Sequence, residues 1–200
     1  GKVNANVLVT AKLIGVTEIY KMGGAQAIAA LAFGTETVPK VEKITGPGNI
    51  FVTLAKKAVI GHADIDMLAG PSEILIVADD SADPAYLASD MLSQAEHDPL
   101  ACAILLTDSE RIAQAVAEEI EIQLAKLPRK EIAETSLAQA GKIILAKDLA
   151  TVIEMSNMSA PEHLEIMTKD PFSVLPYIRN AGAIFLGKNS PEPLGDYYAG

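Results

Sequence analysis

Gln94 and His97 lie three residues apart near the predicted end of a helix, in the stretch SQAEHDP. This spacing brings both side chains to one face of a helix, and Pro99 disfavours helical geometry at Asp98. Imidazole is a good zinc ligand, whereas a neutral amide is an uncommon one. The pair therefore indicates either a metal site or a polar, solvated helix end, and the Q-x-x-H pattern alone does not decide between them.

A second polar pair, Glu162 and His163, begins the predicted strand EHLEIMT. Neighbouring residues in a strand point to opposite faces, but a loop after Pro161 could turn both side chains toward one pocket. A histidine beside a glutamate can transfer protons near neutral pH. The alternative is a solvated glutamate next to a half-buried histidine.

Two glycine turns, MGGAQ and TGPGN, each precede a predicted helix. Glycine lets the backbone approach a phosphate, and a helix N-terminus favours the negative charge. Gln26 follows the first turn, and Asn49 is placed to cap the helix after the second. The Asn49 amide could also bind a ribose or nicotinamide. The turns indicate a nucleotide site, or else they simply join strands to helices.

Two further residues are candidates on weaker grounds. Ser72 lies in a turn before a strand, where serine usually makes local hydrogen bonds, and no adjacent base would make it a nucleophile. Asp196 lies in the Gly- and Pro-rich stretch GKNSPEPLGDYYAG. It fits either a turn residue or a carboxylate ligand of a metal.

The elements that must position these side chains alternate between short β-branched runs and longer Ala- and Leu-rich runs. Strands separated by crossover helices predict an α/β fold with mainly parallel sheets flanked by helices. The turn at Gly70-Pro71 predicts a boundary between a domain of residues 1–70 and a domain of residues 71–200. In such folds, ligands are expected outside the carboxyl ends of the strands.

Several individual elements follow from the same patterns. TEIYKM is predicted to be a short strand and SEILIVADD a fully buried one. In SERIAQAVAEEIEIQLAKLP, apolar residues recur every four positions from Ile112 to Leu124, which predicts a helix with one buried face. Pro176 is expected to bend or shorten the last helix.

Composition excludes several classes of protein. Half of the 200 residues are hydrophobic, and the formal net charge of −10 argues against nucleic-acid and anionic-membrane partners. No apolar run approaches the roughly eighteen residues needed to cross a bilayer. The single cysteine, Cys102, suits a reducing cytoplasm. The chain lacks an initiator Met, and we interpret it as a fragment of a longer protein.

Six segments together resemble histidinol dehydrogenase, and the resemblance runs essentially end to end. They are GGAQAIAALAFGTETVP, KITGPGNIFV, AGPSEILIVAD, LSQAEHDP, SAPEHLEI and GDYYAG. The resemblance implies an enzyme that oxidises L-histidinol to L-histidine through an aldehyde-level intermediate. It also implies two NAD molecules, one zinc ion, a homodimer and a subunit with two incomplete Rossmann-like domains.

The resemblance also implies roles for individual residues. Glu162 corresponds to a base that activates water, and His163 to the principal general base. The other residues carried over are contacts of zinc, substrate or NAD: Gln94, His97 and Asp196 for zinc and substrate, Ser72 for substrate, and Gln26 and Asn49 for NAD. On this basis the first domain carries NAD, and the second carries the catalytic and zinc-binding residues.

The chain also departs from the family pattern. The family has further sequence on both sides, including another histidine zinc ligand and a substrate-binding acid, so we expect this chain alone to be inactive or nearly so. Two alternatives remain open. One is a zinc hydrolase in which Glu162 activates water. The other is a non-catalytic nucleotide-binding module carried by the turns MGGAQ and TGPGN.

Overall fold

The computed structural model describes residues 3–68 and 70–195. The chain divides into two compact units, Gly1–Gly70 and Pro71–Gly200. Parallel strands alternate with helices in both units, so the predicted α/β class with parallel sheets flanked by helices is confirmed.

The first unit packs helices against a short pair of parallel strands. Its helices are α1 (Ala5–Leu13), α2 (Ala25–Phe33) and α3 (Ile50–Ala58), and its strands are β1 (Lys43–Ile44) and β2 (Asp64–Ile65). A small core joins α2 and α3 to the strand pair and contains Ile28, Ala32, Ile44, Val59 and Ala63. The glycine-opened helix and the strand–turn–helix segment predicted for this unit are both present.

One predicted element of this unit is wrong. TEIYKM, residues 17–22, forms no strand, and Ile19 and Tyr20 are exposed. A strand needs a partner for its backbone N–H and C=O groups, and the described part of this unit pairs only β1 with β2. Residues 17–22 therefore have the composition of a strand but no neighbouring strand, in the described ranges, with which to form backbone hydrogen bonds.

The second unit is built on a five-stranded parallel sheet in the order β5–β4–β3–β6–β7. The strands are β3 (Glu73–Ala78), β4 (Cys102–Thr107), β5 (Lys142–Leu145), β6 (His163–Met167) and β7 (Ala183–Leu186). The helices are α4 (Pro84–Ala95), α5 (Glu110–Leu124), α6 (Lys130–Ala140), α7 (Leu149–Ser159), α8 (Pro171–Val174) and α9 (Glu192–Leu194).

Helices cover both faces of this sheet. Ile74 and Ile76 of β3 pack toward Leu87 and Met91 of α4 in one core. Leu75 and Val77 point the other way into a second core that contains Val152 of α7. This explains why β3 reads as an uninterrupted apolar run rather than an alternating one.

The helix predictions in this unit succeeded where the apolar spacing is regular. All four spaced residues of α5, from Ile112 to Leu124, are buried. Pro176 does shorten its helix, which is the single turn α8 followed by a 3-10 turn at Leu175–Tyr177. Helix α6 was missed because it buries only Ala133 and Ser136. No helix in the described ranges has the length and hydropathy that a membrane span requires.

Candidate active site at the amino ends of the strands

The polar groups of the second unit gather at the amino edge of its sheet. Ser72 immediately precedes β3, and Glu162 immediately precedes His163, the first residue of β6. Helix α4 follows β3 and runs back toward that edge, so Gln94 and His97 also lie at this end of the unit. The expectation of a site at the carboxyl ends was therefore wrong for these residues.

His163 and Glu162 both contact the backbone of Glu73 on the neighbouring strand. The Nδ1 atom of His163 lies 3.0 Å from the carbonyl oxygen of Glu73. The amide nitrogen of Glu73 donates to the Oε2 atom of Glu162 over 3.2 Å. Only 3.7 Å separates Nδ1 of His163 from Oε2 of Glu162. One residue of β3 thus holds the two candidate bases side by side.

These contacts decide which nitrogen of His163 can act as a base. A carbonyl oxygen only accepts hydrogen bonds, so Nδ1 must carry the proton that points at Glu73. In the neutral ring, Nε2 is then the nitrogen that carries the lone pair. The imidazole is therefore oriented for proton transfer at Nε2, while its other nitrogen is fixed by the sheet.

The start of β7 fixes the backbone of Glu162. Ala183 donates its N–H to the Glu162 carbonyl oxygen over 2.8 Å, and Gly182 donates to Pro161. A Cβ atom at Gly182 would lie 2.5 Å from the Glu162 carbonyl oxygen. Glycine is required at position 182 because the two backbones approach so closely, and this approach limits the movement of Glu162.

Gln94 occupies an unusual position at the end of α4. Its side chain is 1% exposed, and its Oε1 atom has no hydrogen-bond partner among the described residues. A buried amide oxygen without a partner is costly. Coordination of a cation by this oxygen would remove that cost, so the environment of Gln94 fits a metal ligand better than a solvated helix end.

His97 follows α4 in a turn and is exposed. Its backbone N–H donates to the Gln94 carbonyl oxygen over 3.1 Å, and its own carbonyl accepts from the guanidinium of Arg129 over 3.3 Å. These contacts fix the backbone of the turn and leave the ring at the surface. Asp196, the third predicted ligand, lies outside the described residues.

The predicted NAD contacts lie in the first unit. Asn49 caps α3, and its Oδ1 atom accepts from the Val52 N–H over 3.2 Å. Gln26 lies in the first turn of α2 and is exposed, next to Gly24 with φ +72°. Both side chains thus begin a helix after a glycine turn, as the sequence predicts. The capping role of Asn49 engages its oxygen and leaves its NH₂ group available.

An ion pair between the buried Lys56 and Asp66, next to the second glycine turn, was not foreseen. The Lys56 ammonium donates to Asp66 over 2.6 Å and to the Gly46 carbonyl oxygen over 2.5 Å, and Asp66 accepts from the Gly46 N–H. These hydrogen bonds, chiefly the one from Lys56, lower the pKa of Asp66. The signal was present, because Lys56 falls on the apolar face of α3 between Val52 and Val59.

A buried carboxyl pair was also missed. Glu165, in the middle of β6, is 1% exposed, and Asp90 of α4 is 7% exposed. Burial raises the pKa of both groups, and the nearby Asp90 raises that of Glu165 further. A glutamate inside the apolar strand HLEIM was the signal that could have revealed it.

A cleft of about 1060 Å³ opens at the opposite, carboxyl edge of the second sheet. Its lining includes Tyr86, Thr168, Lys169 and Lys188. Asp83 also lines it, and the Asp83 carboxylate already caps the start of α4 by accepting from the Ala85 N–H. None of the predicted site residues within the described ranges lines this cleft.

The family model and the curated relatives point to one family. The model of the family described as histidinol dehydrogenase matches residues 1–200. The histidinol dehydrogenase of Clostridium acetobutylicum is 58% identical over 200 residues, and that of Aquifex aeolicus is 57% identical over 199. These alignments cover 100% of this chain and 46% and 47% of the respective relatives.

A solved structure agrees with these comparisons. The crystal structure of histidinol dehydrogenase from Elizabethkingia anophelis superposes with a TM-score of 0.92 at 46% identity, covering 98% of this chain and 46% of that one. A propionaldehyde dehydrogenase from Clostridium phytofermentans, at 12% identity and a TM-score of 0.57, shares the fold alone. The chain spans about half the length of the curated relatives it matches.

Proposed function

Because the chain belongs to the histidinol dehydrogenase family, we propose that it supplies the NAD-binding turns and most of the catalytic groups of an enzyme that oxidises L-histidinol to L-histidine. The reaction passes through an aldehyde and its hydrate and consumes two NAD molecules. The observation that carries the proposal is the pair of candidate bases held by the Glu73 backbone: His163, whose Nδ1 is fixed by the Glu73 carbonyl oxygen, and Glu162 beside it.

The donor set at the end of α4 suits zinc. Gln94 supplies a buried oxygen without a described partner, and His97 supplies an imidazole three residues later. With Asp196 as a further ligand, nitrogen and oxygen donors leave coordination positions for substrate nitrogens. Zinc, when bound, would act as a template that holds the imidazole and amino groups of histidinol. Ser72, immediately before β3, would contact the same substrate.

His163 has a proton-transfer role in both oxidations. In the first, Nε2 accepts the hydroxyl proton of histidinol as the carbinol C–H leaves as hydride. In the second, Nε2 accepts a proton from the aldehyde hydrate as the second hydride leaves. NAD, when bound through Gln26 and Asn49, would accept each hydride. The hydrogen bond to Glu73 keeps Nδ1 protonated throughout, so Nε2 is the nitrogen that accepts a proton in both oxidations.

Glu162 acts between these two steps. Its carboxylate removes a proton from water as the water oxygen attacks the aldehyde carbon, which gives the hydrate. Its hydrogen bond from the Glu73 N–H orients the carboxylate. With one-third of its side chain exposed, Glu162 is accessible to water, whereas the His163 side chain is 12% exposed.

The test uses the full-length protein with L-histidinol, NAD and zinc. We expect two NADH molecules for each histidine formed, and no turnover after chelation of the metal. Hydrolysis of an ester or amide without NADH formation would favour the zinc hydrolase instead. NAD binding without any turnover, unchanged by His163→Ala, would favour a non-catalytic nucleotide-binding module. The homodimer and the cytoplasmic location remain predictions, and the dimer is checked by sedimentation of the same sample.

A further inference from the structure

Glu165 shares a face of β6 with His163, since alternate residues of a strand point the same way. That face packs against α4: Met167, two residues further on, joins Leu87 and Met91 in one core. The strand neighbours of Glu165 are Ile76 on β3 and Phe185 on β7. An ionised carboxylate in such surroundings would be strongly unfavourable. The side chain is therefore best accounted for as a neutral acid.

Asp90 approaches Glu165 from the facing helix. It lies one turn before Gln94 on α4, so both side chains leave the same face of that helix, and both are buried. The two carboxyl groups lie close enough to interact directly. The buried face of α4 thus places Asp90 toward β6, one helical turn before the proposed zinc ligand Gln94.

The two oxygens of Glu165 have different surroundings. Oε1 accepts the Glu192 N–H over 2.8 Å. Oε2 is buried, and no donor from the described part of the chain points at it. This is the pattern of a protonated carboxyl group, in which one oxygen accepts and the other carries the proton. Asp90 is the acceptor available to that proton.

We propose that Asp90 and Glu165 form a hydrogen-bonded brace that fixes the spacing between α4, with its zinc ligand Gln94, and β6, with its base His163. This inference rests on the proposed function. The brace also reaches the segment after β7 through the Glu192 N–H, four residues before Asp196 in the sequence. Asp90 and Glu165 are positioning residues, since they act on zinc and substrate through Gln94 and His163.

A second metal site is the competing interpretation of these buried acids. It would require at least three ligating side chains around one point. Within residues 3–68 and 70–195, no group of three or more His, Cys, Asp or Glu side chains is arranged to hold a metal ion. A proton between two carboxyl groups accounts for the same burial without a cation.

The experiment compares Glu165→Gln with Glu165→Leu in the full-length enzyme. Glutamine keeps an acceptor for Glu192 and a donor for Asp90, whereas leucine removes both. Zinc affinity is measured by competition with a chelator, and kcat and KM are measured with saturating zinc. We expect the leucine variant to lose roughly 10–100-fold in zinc affinity, the usual range for a group supporting a metal ligand. The glutamine variant should stay within about threefold of wild type.

Glu154→Gln and Glu154→Leu are matched controls, because Glu154 forms an exposed ion pair with Arg179. Wild-type zinc affinity and kinetics in a folded Glu165→Leu variant would overturn the brace, as would an equal loss in the glutamine variant. If Glu165→Leu does not fold, Asp90→Ala replaces it, with the same expected loss and the same refuting result. If the wild-type enzyme neither binds zinc nor oxidises histidinol, the proposed function is wrong. The brace can then have no role in zinc binding.

Discussion

The Nδ1 atom of His163 lies 3.0 Å from the carbonyl oxygen of Glu73, a contact between the first residues of two adjacent parallel strands. The backbone of the neighbouring strand, rather than another side chain, therefore sets the tautomer of His163. A second acid oriented by the same backbone residue, Glu162, lies 3.7 Å from that nitrogen. The two groups have separate proton-transfer roles in the proposed reaction.

Replacing His163 by Ala in the full-length enzyme should lower kcat for histidinol oxidation by roughly 100–10,000-fold, the usual contribution of a general base. Zinc content should be unchanged, because His163 is not a proposed ligand. His62→Ala is the control, since His62 is exposed and its ring packs on Phe33 in the first unit. Near-normal turnover by the His163 variant would remove it from the proton-transfer role.

Glu162→Gln should slow oxidation of the aldehyde much more than oxidation of the alcohol, because only the aldehyde step requires attack by water. Rapid mixing with histidinol should then give a burst of one NADH per site followed by slow turnover. Glu134→Gln, which disrupts only the exposed pair with Lys130, should behave like wild type. Equal slowing of both oxidations would argue against Glu162 as the base that activates water.

His97→Ala should remove most of the bound zinc from the full-length enzyme, because it deletes the proposed imidazole ligand three residues after Gln94. Metal analysis after gel filtration measures this directly, and His62→Ala is again the control. Circular dichroism should be unchanged, since the His97 side chain is exposed. A full complement of zinc in the variant would exclude His97 as a ligand.

Lys56→Met should destabilise the first unit and weaken NAD binding, because the TGPGN turn loses the ammonium that bonds both Gly46 and Asp66. A cost of about 1.5–3 kcal/mol is expected for charged hydrogen bonds, measured by urea unfolding. Lys57→Met is the matched control, one residue along α3 and exposed. If both variants unfold at the same urea concentration, the Lys56–Asp66 pair contributes nothing to stability.

Stability of the second unit should fall as the pH rises from about 4.5 to about 9. Burial, chiefly, and the nearby carboxyl groups of Asp90 and Glu192 raise the pKa of Glu165 from 4.5 to about 9. The folded form therefore binds more protons than the unfolded form in this pH interval. The stabilisation from protonated Glu165 is fully present below about pH 4.5 and is lost as the pH rises through about 9. Asp90, with a pKa raised to about 6, contributes in the same direction.

Thermal unfolding between pH 6 and pH 9 measures this dependence, and Glu165→Gln should flatten it. Glu154→Gln should leave it intact, because the ion pair with Arg179 lowers the pKa of Glu154 and keeps its titration below this interval. An equally steep dependence in the Glu165 variant would assign the effect to other groups.

The sequence by itself determined the class of the fold and the elements with regular spacing. The helix from Glu110 to Leu124 was predictable because its apolar residues repeat at helical intervals, and β3 because a parallel strand buried on both faces is uniformly apolar. Composition and residue order also identified the family. Local physical preferences are sufficient at this level, because each depends on residues close together in the chain.

Only the tertiary structure decided which candidate groups lie together and what surrounds each of them. It brought Glu162 and His163 to Glu73, about ninety positions earlier in the chain, and it put these groups at the amino edge rather than the carboxyl edge of the sheet. It also paired the buried Lys56 with Asp66, and it buried both Asp90 and Glu165. A local pattern can indicate that a charged residue is buried, but its hydrogen-bond partners and its pKa depend on residues distant in sequence, which no local pattern identifies.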